Sequence, residues 1–383
     1  MEKKILTPEV QIFIDANLHS DLHSLLLKKS PFPEISMHEI VQQIKGKKVA
    51  QKKFPFLLKE GIVFPPNLNL EQASSQSTAE YKAKNVEGKT FLDLTTGFGI
   101  DAYFLSQNFT EVTLVEQNSP LLETVKHNWT ILERKAAFLN ENLEEFLKKN
   151  TAKFDVVYVD PARRDDNKNK KFLLEDLSPN LLEIQGQLAE ISSQTISKLS
   201  PLIDISYLIS VLKNISKIEI IALRNEVKEL LVYIEGDAKL HDVKISCINL
   251  ESDDADFTFN FQEEKTAVSL FSEPKQFLYI PNNTVLKSGA FNLVSEKFSL
   301  KKLHPNTHFY TSDVVLNHFP GRILKIDTVD SKDISKGGKY NIISKNYPLT
   351  PDQIKKKYKI SDGGDFYLIF TQTQKGKIIL KSQ

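Results

Sequence analysis

Between Thr90 and Phe261 short apolar runs alternate with helix-patterned stretches, and this alternation constrains the fold more tightly than any other feature of the chain. TFLDL (Thr90–Leu94), VTLV (Val112–Val115), AFL (Ala137–Leu139), FDVVYV (Phe154–Val159), TISK (Thr195–Lys198) and KIEIIAL (Lys217–Leu223) have the length and composition of strands. Helical patterns separate them, one opened by Ser119-Pro120 with proline at the first helical position. A chain that repeats strand and helix in this way lays its strands parallel and covers both faces of the sheet with helices, an α/β architecture. The continuous apolar character of FDVVYV fits a strand buried on both faces. Val243–Asn249 and Phe257–Phe261 alternate like a closing hairpin, whereas RNEVKELL (Arg224–Leu231) reads as a capped helix start with paired surface charges.

The flanks have other patterns. Thr7-Pro8-Glu9 and the capping-box spacing from Ser36 to Glu39 predict helices, and Pro55, Pro65 and Pro66 interrupt them. Beyond Pro281 a helix near Ala290–Phe298 and strands near Thr307–Thr311 and Arg322–Ile326 are expected. Another capping box at Thr350–Gln353 starts a helix, and Asp365–Thr371 and Lys377–Leu380 read as closing strands. With 383 residues, too many for one ordinary core, three regions are expected: helical 1–68, α/β 69–280 and a small α+β region 281–383.

Composition excludes several classes. Cys247 is the only cysteine, so an intrachain disulfide and a Cys-rich zinc site are excluded. His304, His308 and His318 are too scattered to form a metal set, and no metal is expected. The chain starts MEKKILTPEV without an apolar leader and has no run long enough to span a bilayer, which points to the cytoplasm and away from membranes. Net charge is +1, but Thr284–Gln383 carries 17 Lys/Arg against 8 Asp/Glu, and residues 1–60 carry 10 against 7. Basic ends around an acidic centre suit a polyanion held at the periphery, or a solvated lysine-rich surface.

FLDLTTGFGID (Phe91–Asp101) joins the first strand to a helix, and Gly97, Gly99 and Ala102 fit the G-x-G-x-x-G/A fingerprint. Glycines let the backbone turn sharply and approach a ligand, while the next helix offers unpaired N–H groups. A plain connecting turn is the alternative. Glu116 ends the second strand 19 positions after Gly97 and can accept hydrogen bonds from ribose hydroxyls, which selects an adenosine ligand. Asp93, at the strand tip, selects further. A carboxylate there repels the pyrophosphate of NAD(P) and suits the ammonium and sulfonium of S-adenosylmethionine.

FLDLTTGFGID, LVEQN and FDVVYVDPAR together resemble the ordered motifs of class I S-adenosylmethionine-dependent methyltransferases, over roughly residues 70–262. The resemblance implies a Rossmann-like sheet with S-adenosylmethionine as cofactor. Asp93, Thr95, Gly97 and Gly99 would surround its methionine portion, Glu116 its ribose, and Asn142, where the family often has Asp, its adenine. EQASSQSTAEYKA lies where related RNA methyltransferases carry a helix that closes over the cofactor. Gln76 and Thr78 are its candidates, with an ordinary serine-capped helix as the alternative.

DPARR (Asp160–Arg164) stands where amino-methylating members of that family carry Asp/Asn-Pro-Pro and an aromatic residue. By that resemblance Asp160 and the Pro161 segment accept hydrogen bonds from the amine being methylated. Arg163 takes the aromatic position, and its guanidinium can stack on a base or bind phosphate. An ion pair with Asp165, Asp166 or Glu175 is its alternative use. KLSP (Lys198–Pro201) can line the pocket but reads first as a plain loop. A cysteine-dependent uracil-C5 mechanism is disfavoured, since Cys247 falls in the late hairpin.

EQASSQSTAEYKA, DPARR, HPNTHFYTSD, FPGRILKI and DGGDFYLIFTQ also resemble a bacterial family of methyltransferases with a C-terminal THUMP-like domain. That implies structured RNA, tRNA or rRNA, as partner, consistent with the basic C-terminal region and KKKYK (Lys355–Lys359). Phe309, Tyr310, Tyr347 and Tyr367 can stack on bases or fill the core. The expected function is therefore methylation of an RNA base nitrogen. An NAD(P)-dependent oxidoreductase and a non-catalytic RNA-binding module with a vestigial methyltransferase fold are the alternatives.

Overall fold

The structure is a computed structural model and describes residues 3–163, 173–236 and 242–383, with Lys3 and Arg163 described in their backbone alone. Arg164, Asp165 and Asp166 lie outside the described residues. The chain forms two compact units, residues 1–216 with 231–240 and residues 217–230 with 241–383.

In the first unit β1 (Thr90–Asp93) pairs in parallel with β2 (Glu111–Val115) on one side and β4 (Phe154–Val159) on the other. β3 (Ala137–Leu139) adds beyond β2, and β5 (Ser192–Leu199) adds beyond β4, both in parallel. β7 (Glu226–Glu235), whose residues from 231 on belong to this unit, lies beyond β5, so the order here is β7-β5-β4-β1-β2-β3. β6 (Ile215–Leu223), β8 (Lys244–Leu250) and β9 (Phe257–Asn260) follow the order β9-β8-β6, and all but the first two residues of β6 belong to the second unit. β6 and β8 run parallel, and β9 closes the edge antiparallel to β8. This is the expected α/β sheet, with the central parallel strands β1 and β4 buried through most of their length.

The helix expected at Arg224–Leu231 is instead a hairpin. Arg224 and Asn225 have φ of +50° and +67°, the left-handed pair that a two-residue β-turn requires. The Asn225 N–H donates to Asn249 Oδ1 at 2.7 Å, and the chain returns antiparallel as β7. Charged residues at its start imitate a helical surface, but ELLVYIE is buried through its centre and belongs to the sheet.

The N-terminal helices pack within the first unit. The Met37–Lys53 helix begins at the predicted capping box, with Glu39 N–H donating to Ser36 Oγ and Ser36 N–H to Glu39. The proline-interrupted segment after it is held by side-chain amides that mimic strand pairing. Gln43 exchanges two hydrogen bonds with Phe64, and Asn128 exchanges two with Val63. Phe54, Phe64 and Leu70 share one apolar cluster with Phe98, Ile100 and Phe104, so the helix after the glycine turn is buried beneath this cap.

The second unit carries an eight-stranded sheet. Its strands are β10 (Leu270–Phe271), β11 (Phe277–Pro281), β12 (Lys301–His304), β13 (Thr307–Ser312), β14 (Gly321–Thr328), β15 (Lys339–Ser344), β16 (Ser361–Thr373) and β17 (Gly376–Ser382). Their order is β10-β12-β13-β11-β14-β17-β16-β15. The capping box at Thr350 opens the Pro351–Tyr358 helix as expected. Phe309 and Tyr310 are buried and belong to the core, whereas Tyr367 lies under the Arg322 guanidinium, 4.5 Å from ring centroid to Cζ. Cys247 is buried in β8, and burial pushes its thiol up to about 12, which removes it as a nucleophile at neutral pH. Among the described residues no helix is long and apolar enough to cross a membrane, and no His/Cys/Asp/Glu group is placed to hold a metal.

Candidate active site

The two glycines of the first turn do different work. Gly97 has φ +54°, and a Cβ there would meet only the Thr95 carbonyl at 3.8 Å, so its outer face is open. Gly99, at φ +74°, lies against the Ser119–Ile131 helix; a Cβ there would come within 2.9 Å of Val125 Cγ1. Gly97 thus leaves room for a ligand, and Gly99 lets two helices approach. Immediately before Gly97, the Thr96 hydroxyl is buried without a hydrogen-bond partner among the described residues.

Asp93 is 1% exposed, and its Oδ1 accepts the Thr95 N–H at 2.8 Å. No described cation forms an ion pair with it. Burial, reinforced by the nearby Asp101, Asp160 and Glu116 carboxylates, pushes its pKa well above the usual carboxylate range. Glu116 is turned onto the backbone. Its Oε2 accepts the Gly97 N–H at 2.9 Å and its Oε1 the Asn118 N–H at 2.8 Å, so it braces the turn while keeping further lone pairs.

The remaining predicted cofactor residues lie at other positions. Asn142 caps the Leu143–Lys149 helix by accepting the Glu144 N–H, and its amide reaches Gln117 Oε1 at 3.5 Å, next in sequence to Glu116. Gln76 opens the Gln76–Ala83 helix, accepts the Phe56 N–H and donates to Glu80. Thr78 is buried, with its hydroxyl on the Ser75 carbonyl in the helix cap. The structure thus brings Asp93, Thr95, Gly97 and Glu116 together, and gives Gln76 and Thr78 local partners.

On the acceptor side Asp160 follows β4, and its N–H donates to Thr95 Oγ1 at 2.6 Å. Its side chain is 33% exposed, and Oδ2 lies 2.5 Å from Lys198 Nζ, at the end of β5. Burial raises the Asp160 pKa, and Lys198 opposes that rise. Pro161 is buried, and Ala162–Arg163 forms a short antiparallel ladder with Leu177–Ser178. Glu175 accepts the Tyr207 hydroxyl hydrogen bond at 2.6 Å.

Behind Asp160 lies a buried charge cluster that the sequence reading did not assemble. Lys82, its side chain fully buried, pairs with Asp101 Oδ1 at 2.7 Å, and Lys198 lies 3.2 Å from Asp101 Oδ2. Ser74 and Tyr158 donate to that same Oδ2, at 2.7 and 2.8 Å. Burial alone would raise the Asp101 pKa, but Lys82 and then Lys198 hold it well below the ordinary range. A signal for this was present. Lys82 sits on the same helical face as Thr78 and Ala79, and a lysine on a buried face needs an anion. A cleft of about 530 Å³ elsewhere in this unit, lined by Gln42, Phe64, Pro65, Asn118 and Glu123 among others, contains none of the strand-tip acids.

The parallel strands with one reversed by a hairpin, the glycine turn and the acids at three strand tips define a class I methyltransferase fold, joined to a C-terminal THUMP-like domain. Over nearly its full length the chain is similar to a protein described as a "putative methyltransferase" from Porphyromonas gingivalis W83. The two share 28% identity over 99% of this chain and 98% of that one, with a TM-score of 0.86. Residues 75–192 match the family described as Conserved hypothetical protein 95, 277–320 a ferredoxin-like domain, and 322–381 a THUMP domain-like family. Two other solved structures are more remote. TrmK of M. capricolum, in complex with S-adenosyl-homocysteine, has 18% identity over 43% of this chain and 71% of that one, with a TM-score of 0.33. An rRNA methylase from Streptococcus thermophilus has 13% identity over 41% and 93%, with a TM-score of 0.31. No curated protein matches the chain.

Proposed function

We propose that this chain is an S-adenosylmethionine-dependent methyltransferase that acts on a base nitrogen of structured RNA, tRNA or rRNA. The observation that carries the reading is Asp93, a buried carboxylate with no ion-pair partner among the described residues, beside the open face of Gly97. Such a site calls for a cation, and a dianionic pyrophosphate would worsen its charge imbalance. The unpartnered Thr96 hydroxyl beside it adds a polar group available to a ligand. Residues and cofactor therefore fit.

Asp93, Thr95 and Gly97 would hold the methionine portion, Glu116 the ribose, and Asn142 with Gln117 the adenine edge; Gln76 and Thr78 stand on the helix proposed to close over it. The bound cofactor supplies an electrophilic methyl group on a sulfonium. What the chain must add is alignment, because displacement at that methyl requires nucleophile, carbon and sulfur in line. Asp160 and the Pro161 segment would orient the acceptor nitrogen, with Arg163 at the edge where a base or phosphate enters. The THUMP-like region and the basic C-terminal balance support RNA as the substrate, through phosphate neutralisation.

Isothermal titration with S-adenosylhomocysteine, S-adenosylmethionine, NAD⁺ and NADP⁺ tests the cofactor. Binding of NAD(P) without binding of the sulfur ligands overturns the reading in favour of an oxidoreductase. Mass spectrometry of nucleosides from total RNA, with and without the gene, tests the reaction. Tight cofactor binding with no methylated nucleoside lost from the deletion strain favours a non-catalytic RNA-binding module.

A further inference from the structure

Among the described residues Lys198 is the cation paired with Asp160 of the proposed acceptor site, and its own contacts decide what it can do there. A lysine ammonium has three N–H donors. Among the described residues those of Lys198 meet Asp160 Oδ2 at 2.5 Å, Asp101 Oδ2 at 3.2 Å and Ser74 Oγ at 3.3 Å. Asp101 is itself held by Lys82, Ser74 and Tyr158, so it anchors the ammonium on the side away from Asp160 Oδ1. Asp160 is different. Its Oδ2 is occupied, its Oδ1 has no partner among the described residues, and a third of its side chain is exposed.

We propose that Lys198 is a positioning residue for methyl transfer: by occupying Oδ2 of Asp160 it leaves Oδ1 as the single acceptor facing the crevice, aimed at the hydrogen of the nitrogen being methylated. The inference rests on the methyltransferase reading of the site and narrows its substrate class. In the step, the new N–C bond forms as the C–S bond breaks, the electron pair of that bond stays on sulfur, and the proton lost by nitrogen passes to Asp160 Oδ1. A carboxylate oxygen placed this way serves a nitrogen that carries a hydrogen, an exocyclic amine or a ring N–H. It offers nothing to a ring nitrogen that has only a lone pair. Among the described residues the charged groups acting on Asp160 are Lys198, Asp101 and Lys82, with Asp93 also near. Of these, Lys198 touches it.

The test is the titration of Asp160, followed by carboxyl ¹³C shifts in full-length protein labelled at aspartate, with Asp160→Asn identifying the signal. Lys198→Met is expected to raise the Asp160 midpoint by about one pH unit or more, while Lys198→Arg, which keeps the cation, leaves it near the wild-type value. Lys198→Gln keeps hydrogen-bond donors without the charge and makes the same prediction as Lys198→Met, should the latter not fold. An Asp160 midpoint unmoved by loss of the lysine charge overturns the proposal. So does a product nucleoside methylated on a nitrogen that bore no hydrogen. Affinity for S-adenosylhomocysteine is expected to change less than about threefold in Lys198→Met, since its contacts to Asp160, Asp101 and Ser74 involve none of Asp93, Thr95, Gly97 and Glu116. Failure of the wild-type protein to bind that ligand instead removes the cofactor reading and leaves the Asp160 titration as a separate result.

Discussion

Thr95 Oγ1 accepts the backbone N–H of Asp160 at 2.6 Å, while the N–H of Thr95 donates to Asp93. One residue therefore ties the tip of β1 to the segment leaving β4, and sets the spacing between the two carboxylates on which the proposed chemistry depends. Thr95→Val keeps the shape but leaves a partly buried N–H without an acceptor. It is expected to cost about 1–3 kcal/mol in urea unfolding, and Thr95→Ser to recover most of that. Equal stability of Val and Ser variants would show the bond to be dispensable.

The two turn glycines separate ligand space from packing. Gly99→Ala drives a Cβ into Val125 and forces a left-handed conformation, so it is expected to destabilise the fold by about 1–3 kcal/mol. Gly97→Ala meets open space and carries only the roughly 1 kcal/mol backbone penalty, yet places a methyl in the proposed cofactor site. Thermal unfolding should rank Gly99→Ala as the less stable variant. Calorimetry should show Gly97→Ala with the larger loss of S-adenosylhomocysteine affinity relative to its loss of stability.

Asp93 makes the ligand-free protein sensitive to rising pH. Its folded pKa lies well above the ordinary aspartate value, because burial disfavours the charged form, so the folded chain holds this proton more tightly than the unfolded chain. The associated stability is fully present below the unfolded value and is lost as pH rises through the raised one. Asp93→Asn should flatten this dependence and stabilise the ligand-free protein at neutral pH, while weakening S-adenosylmethionine binding roughly 10- to 150-fold. Cofactor titration in buffers of differing ionisation enthalpy should detect a proton released by the wild-type protein and none by the variant.

Lys82 and Asp101 behave oppositely. The folded Asp101 pKa is depressed, so its contribution is present above the ordinary carboxylate range and disappears as pH falls through the depressed value. Lys82→Met leaves buried negative charge uncompensated and is expected to cost about 3–5 kcal/mol. Lys82→Met combined with Asp101→Leu should recover part of that loss in denaturant unfolding. A double variant no more stable than the single one would show that packing, rather than charge, explains the cost.

Much of this architecture is legible in local pattern. The alternation of apolar runs and helices, the caps at Ser36 and Thr350, and the glycine turn all encode interactions between residues close in sequence. Hence β1 to β4 and the acids at their tips were expected where they stand. RNEVKELL misled because charge spacing is a surface property shared by helices and hairpins. The left-handed pair Arg224-Asn225 decided between them.

The sequence by itself determined that a carboxylate, a glycine turn and a second acid meet at one sheet edge, because parallel strands bring their ends together wherever they pair. Only the tertiary structure decided which carboxylates around that edge are paired with cations. Lys82 comes from the helix before β1 and Lys198 from the end of β5, and both converge on Asp101 while Asp93 receives neither. Burial magnifies that difference, since an ion excluded from water depends wholly on the charges packed against it.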